Sequence, residues 1–145
     1  MSSVTSALSD VAASLSPDEL TKKVEEIKAA GNERFLKGDY TQAKALYTDA
    51  LSLNPNIVAI YSNRAICELK LEQYGLAIAD ATKAIELDAT FAKAYYRRAC
   101  AHLAILDPKA ALPDLKMVVK LDPRNAQVKI CLLYTSDAAD ERSSV

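Results

Sequence analysis

Small and apolar side chains recur along this chain at a fixed interval of about 34 residues. Ala43, Ala77 and Ala111 keep that spacing, as do Gly31, Ala65 and Ala99; Phe35, Leu69 and Leu103; Leu51, Ile85 and Val119; Leu53, Leu87 and Leu121; and Ile27, Tyr61 and Tyr95. A polar series, Asn54, Asp88 and Asp122, keeps it too. The period divides the chain into units 24–57, 58–91 and 92–125, and each unit reads as two amphipathic helices joined by a short turn. The turns are Lys37-Gly38-Asp39-Tyr40, Glu72-Gln73-Tyr74-Gly75 and Asp107-Pro108. The first helix of a unit carries the small residue of the Gly31 series at mid-length, where a neighbouring helix must approach closely. The second carries the Ala43 and Ala50 series seven residues apart, two turns along one face. Pro55 and Pro123 stop their helices, since proline cannot continue the hydrogen-bond ladder. One helix pair cannot bury its apolar face alone. Three stacked pairs share a continuous core, and a constant rotation between them makes an all-α superhelix whose first helices line the concave side.

The flanks read differently. Residues 1–15 are rich in Ser and Ala without a sustained apolar face, and are expected to be a disordered leader. Order is expected from Ser16-Pro17-Asp18-Glu19, a capping box with proline at the first helical position and acidic charge at the positive end of the helix dipole. The same Ser-Pro pair could be a phosphorylation site. After the third unit, Asn125 to Ile130 looks like the start of a polar capping helix. The sequence from Cys131 then changes character and resembles the in-frame translation of a transposase adapter used in sequencing libraries. Residues 131–145 are therefore expected to be a non-native tail. The ordered domain is set at 16–130, with a truncated capping helix over 125–130.

Composition narrows the function. The chain has 145 residues, 18 Lys+Arg against 19 Asp+Glu, and a formal net charge of −1. That balance argues against nonspecific nucleic-acid binding, which runs on a positive excess. No apolar run approaches the roughly 20 residues of a membrane span, and no signal peptide is expected. Three widely spaced Cys and one His give neither a disulfide framework nor metal-ligand spacing, and fit a reducing cytoplasm or nucleus. No catalytic residue, metal site or cofactor is expected in this chain.

A helix–turn–helix unit of about 34 residues, with small residues at these positions, resembles the tetratricopeptide repeat (TPR), over the stretch 24–125. On the concave face of such an array, polar residues need a reason. Lys28 and Asn32 of the first repeat, Asn63 and Lys70 of the second, and Lys93 and Arg97 of the third are cations and amide donors, with Glu25 the nearest acid. Three neighbouring helices would aim them into one concavity suited to an anionic ligand with two or more carboxylates.

This constellation is similar to the two-carboxylate clamp of TPR co-chaperones, which bind the Glu-Glu-Val-Asp C-terminus of heat-shock protein 90 or 70. Lys28, Asn32, Asn63, Lys93 and Arg97 match that motif residue by residue. The resemblance implies that they hold the terminal carboxylate and the terminal Asp side chain, with Lys70 as an auxiliary cation. Charge-assisted hydrogen bonds contribute roughly 1.5–3 kcal/mol each before desolvation and peptide ordering, consistent with an affinity of about 1–50 μM. Without the resemblance, each residue alone reads as part of a solvated helix face.

The stretch from Tyr74 to Asp88, with Lys93-Ala94-Tyr95-Tyr96-Arg97-Arg98-Ala99, further resembles the N-terminal TPR domain of the protein phosphatase 5 family. That family places a dimetal Ser/Thr phosphatase domain after the repeats, and the repeats inhibit it. Glu72 matches the family's acidic residue that contacts the catalytic domain; its plain alternative is a solvated turn residue. The resemblance implies two partners, a chaperone C-terminus and the parent's own phosphatase domain. A non-enzymatic co-chaperone adaptor with the same clamp, or a TPR scaffold for internal segments, would carry the same pattern.

Other residues read as structural. Cys67 and Cys100 fall at packing positions, and His102 stands alone. Tyr61, Tyr95 and Tyr96 belong to inter-repeat core or to groove contacts. Arg64 and Arg98 recur at a position usually apolar, and hydrogen bonding between repeats would account for them. With the first helix of each unit called A and the second B, Pro113 falls inside the last B helix, where it removes one hydrogen bond and crowds the Lys109 carbonyl.

Overall fold

In a computed structural model, residues 2–143 are described, and they form eight α-helices with no strand. The order is α1 Ser2–Ser14, α2 Pro17–Leu36, α3 Tyr40–Leu53, α4 Val58–Lys70, α5 Tyr74–Leu87, α6 Ala92–Ala104, α7 Pro108–Leu121 and α8 Ala126–Ser143. Helices α2/α3, α4/α5 and α6/α7 are the three predicted pairs. Each packs within itself and against the next, and α8 closes the array on α7.

The small-residue series does what close packing demands. Ala43, Ala77 and Ala111 are fully buried, as are Ala65 and Ala99. At the equivalent place, a Cβ added to Gly31 would stand 2.7 Å from Tyr47 Cε1, so the Tyr47 ring occupies the room that glycine leaves. Tyr61 and Tyr95 are buried, and each hydroxyl donates 2.8 Å to a carbonyl six residues upstream, Pro55 and Ala89 respectively. They are core residues that tie each repeat to its preceding turn.

Side-chain caps open α2, α3, α7 and α8, while α4, α5 and α6 begin without one. The Ser16 hydroxyl accepts from the Glu19 amide, with Pro17 opening the helix, which is the N-cap half of the expected capping box. Asp39 and Asp107 cap α3 and α7 by accepting from Gln42 N and Ala110 N. Asn125 Oδ1 accepts from Val128 N at the start of α8. The turn between paired helices places Gly38, Glu72 and Leu106, each one repeat from the next, at φ 79°, 59° and 64°. In each case the next residue's amide reaches back five residues, Asp39 to Arg34, Gln73 to Glu68 and Asp107 to His102, closing the C-terminal cap of the preceding helix. The turn demands a left-handed residue, and only the first repeat supplies glycine.

Two flanking expectations differ from the structure. The leader is not irregular: Ser2–Ser14 is helical, and Leu8 and Ala12 pack against the core of the first repeat. Leu8 and Ala12, one turn apart, suffice for a short helical stripe because α3 offers a surface to cover. At the other end the helix that begins after Asn125 does not stop at 130. It continues as α8, with Val128, Thr135 and Ala139 buried along one side. Pro113 is exposed and α7 runs through it, since the lost hydrogen bond lies near the helix start.

Candidate functional site

Between α2, α4 and α6 lies a cleft of about 210 Å³ lined by Asn32, Phe35, Leu36, Tyr47, Asn63, Ile66 and Arg97. Three of the five residues expected to act together, Asn32, Asn63 and Arg97, meet here, one from each repeat. Lys28 and Lys93 are not in its wall. They sit one turn before Asn32 and Arg97 on the same helix faces. Lys28 is half-buried with Nζ 3.8 Å from Glu25, and Lys93 is exposed beside Tyr96 and Asp122. Lys70, the last residue of α4, and Glu72, in the following turn, are exposed and outside the cleft.

The polar side chains of the cleft are held by one another. Asn32 Oδ1 accepts from the Tyr47 hydroxyl at 2.5 Å and from Asn63 Nδ2 at 3.5 Å. Arg97 Nε donates to the Ser62 carbonyl at 3.0 Å, which leaves the two Nη groups for another acceptor. Among the described residues no carboxylate lies within ion-pair distance of Arg97. Burial pulls its pKa below the ordinary arginine value, although an arginine stays protonated throughout the physiological range. A desolvated cation without an anion is an unfavourable arrangement that a bound carboxylate would relieve.

Arg64 and Arg98 show the contrast. Each grips a carboxylate of its own repeat with two hydrogen bonds, Asp80 and Asp114 respectively. Each also donates to a threonine of the preceding repeat, Thr48 and Thr82, at 3.3 Å. The guanidinium stands over the ring of Tyr61 or Tyr95, at 5.6 and 5.8 Å from the centroid. These arginines therefore bridge repeats. The pairing was readable in the sequence, because Arg64 and Arg98 recur one period apart and so do Asp80 and Asp114.

Sequence reasoning missed Tyr47, whose hydroxyl reaches Asn32, and the apolar wall of Phe35, Leu36 and Ile66. It also missed Glu68, which is buried in α4 with Oε2 3.3 Å from Lys44 Nζ. Burial first, and the neighbouring Asp80 carboxylate second, push the Glu68 carboxyl well above its ordinary range. Cys67 is buried with its thiol pushed up to about 11, mainly by burial, which fits a packing role. His102 is half-buried on α6 with Nδ1 unpartnered. Among the described residues no cluster of three His, Cys, Asp or Glu could hold a metal, and no helix is long and apolar enough to cross a membrane.

Comparison with known proteins agrees with this architecture. The tetratricopeptide-repeat family profile matches residues 29–57 and 58–91. Human serine/threonine-protein phosphatase 5 is 42% identical over 113 residues, covering 78% of this chain and 23% of the phosphatase. The chain thus spans about a quarter of the length of the phosphatase relatives it matches. Among solved structures, the first TPR of Spaghetti (RPAP3), bound to the HSP90 peptide SRMEEVD, superposes with a TM-score of 0.80. It is 29% identical and covers 82% of this chain and 94% of that one. The second TPR domain of human RPAP3, in complex with the HSP70 peptide SGPTIEEVD, gives a TM-score of 0.76 at 30% identity, with 81% and 98% covered. The repeat profile, the identities and the superpositions agree, and the chain belongs to the tetratricopeptide-repeat family.

Proposed function

We propose that this domain binds a peptide with a free, acidic C-terminus, of the kind that ends heat-shock protein 90 or 70. The carrying observation is Arg97. It is the half-buried A-helix arginine without a carboxylate, and it shares a cleft with two amide donors. A terminal carboxylate entering the cleft would accept from the Arg97 Nη groups, Asn63 and the free amide hydrogens of Asn32. Lys28 and Lys93, each one turn along its helix, extend the positive rim toward a second carboxylate, and Lys70 adds charge further out. Phe35, Leu36 and Ile66 offer apolar surface between.

The relatives support a parent of the protein phosphatase 5 type. In that reading the repeats restrain a Ser/Thr phosphatase domain, Glu72 contacts it, and the dimetal site belongs to that domain and not to this chain. The 42% identity to phosphatase 5 supports this parent, and an adaptor with the same clamp is the second reading, supported by 36% identity to an Hsp70-Hsp90 organizing protein. A cytoplasmic or nuclear location follows from the same reading.

The test is fluorescence anisotropy of a labelled peptide ending in Met-Glu-Glu-Val-Asp, beside its C-terminal amide and an Arg97→Ala protein. Micromolar binding that weakens at least tenfold with either change, about 1.4 kcal/mol, is the expected result. Equal binding of acid and amide, or no binding to a folded domain, would overturn it.

A further inference from the structure

The cleft contains a residue whose place on a B helix hides its role. Tyr47 lies on α3, is buried at 2% exposure, and packs its ring against Gly31 on α2. That packing carries the hydroxyl back to the preceding helix, to Asn32 beside the glycine. An asparagine amide has two ends of similar size. Left alone, it can present its carbonyl or its NH2 to a ligand. Here Oδ1 receives two donors from the protein, so the NH2 end is the one left for the cleft.

We infer that Tyr47 is a positioning residue that fixes the Asn32 side chain with its donor end toward the cleft, so that the site accepts a carboxylate and disfavours a carboxamide. The inference rests on the peptide-binding reading above and adds the origin of its selectivity. A carboxylate has only acceptors, and it meets only donors. A carboxamide brings its own NH2 against the Asn32 NH2, and one of the two then lacks a partner. Gly31 belongs to the same device, because a side chain there would displace the ring that aims the hydroxyl. The Tyr47 hydroxyl stays protonated, and so remains a donor, since burial pushes its pKa up to about 12.

The experiment uses the full chain, with wild type, Tyr47→Phe, Asn32→Ala and the double variant. Tyr47→Phe keeps the ring against Gly31 and removes only the hydroxyl. Affinity for the acid and amide forms of the Met-Glu-Glu-Val-Asp peptide is measured for each. Tyr47→Phe is expected to weaken the acid form three- to tenfold and to narrow the ratio between acid and amide. The double variant is expected to bind no worse than Asn32→Ala, because the hydroxyl acts through that one amide. Losses that multiply in the double variant, or an unchanged acid-to-amide ratio in Tyr47→Phe, would overturn the inference. The Asn32 side-chain NH2 resonances in the peptide-free protein give a readout independent of binding. They are expected to be distinct in wild type and to shift or average in Tyr47→Phe while α2 backbone signals stay in place; unchanged NH2 resonances would overturn the inference. If wild type binds neither peptide, the peptide-binding reading fails, and those resonances alone decide whether Tyr47 sets the amide.

Discussion

Arg64 on α4 holds Asp80 on α5 through two hydrogen bonds, Nε to Oδ2 at 2.7 Å and Nη2 to Oδ1 at 2.6 Å. Asp80 is buried, and Arg64 is its ion-pair partner. Arg64→Ala leaves the carboxylate without its strongest partner and beside Glu68, and should destabilise the domain by about 2–4 kcal/mol. Replacing both, Arg64→Met with Asp80→Leu, should cost clearly less than the single change, because no uncompensated charge remains. Urea denaturation of the three proteins checks both statements.

The left-handed turn makes a prediction in three parts. Gly38, Glu72 and Leu106 hold the same backbone conformation. A side chain there costs about 1–2 kcal/mol, of which the extra flexibility of unfolded glycine returns part. Glu72→Gly and Leu106→Gly should each stabilise by roughly 0.5–1 kcal/mol, and Gly38→Ala should destabilise by about 1 kcal/mol. Nothing lies within 4 Å of the Cβ that Gly38→Ala adds, so the effect isolates backbone strain. Shifts in denaturation midpoint without a change in slope would confirm that stability alone has moved.

Gly31→Ala tests close packing rather than strain. Mid-helix, alanine ordinarily stabilises by about 1 kcal/mol. Here the new methyl meets the Tyr47 ring at 2.7 Å, and the change should instead destabilise by about 1–3 kcal/mol. Tyr47→Leu in the same chain should recover part of the loss, while Tyr47→Phe, which keeps the ring, should not. Thermal melting of the single and double variants distinguishes the cases.

Stability should fall as pH rises from about 5 to 8, and Glu68 should be a main reason. Its carboxyl is raised from the ordinary 4.5, first by burial and then by Asp80, with Lys44 pulling the other way. Between its ordinary and its raised value, the folded chain holds a proton that the unfolded chain has released. The folded state therefore binds more protons, and raising the pH through that window removes stability. Glu68→Gln should flatten the decline. A melting-temperature series for both proteins across that range measures it, and an unchanged slope would exclude Glu68.

The sequence made the repeats legible because packing at a helix crossing tolerates few side chains. Gly31, Ala65 and Ala99 had to be small, and Tyr61 and Tyr95 fill equivalent places against their preceding turns. The donors of the cleft were legible for a related reason: Asn32, Asn63 and Arg97 occupy the groove-facing side of three successive A helices. Lys28 and Lys93 share that register but stand a turn away from the cleft wall, and spacing alone could not separate the two. Tyr47 was invisible because an aromatic on a B helix reads as core, and its hydroxyl acts across a helix pair. Helix α1 was missed because Leu8 and Ala12 make a stripe too short to register until a surface exists for it to cover.

The threonine contacts of Arg64 and Arg98 have a consequence for how the chain melts. Each guanidinium holds helices of two consecutive repeats at once, so opening one seam breaks bonds that also order the next pair. Nearest-neighbour coupling of this kind favours a single cooperative transition over stepwise fraying. The three cleft donors come one from each repeat, and their separations are therefore set by seams that hold or fail together. A ligand that spans them would stabilise the whole array, and each seam would contribute to its grip without touching it.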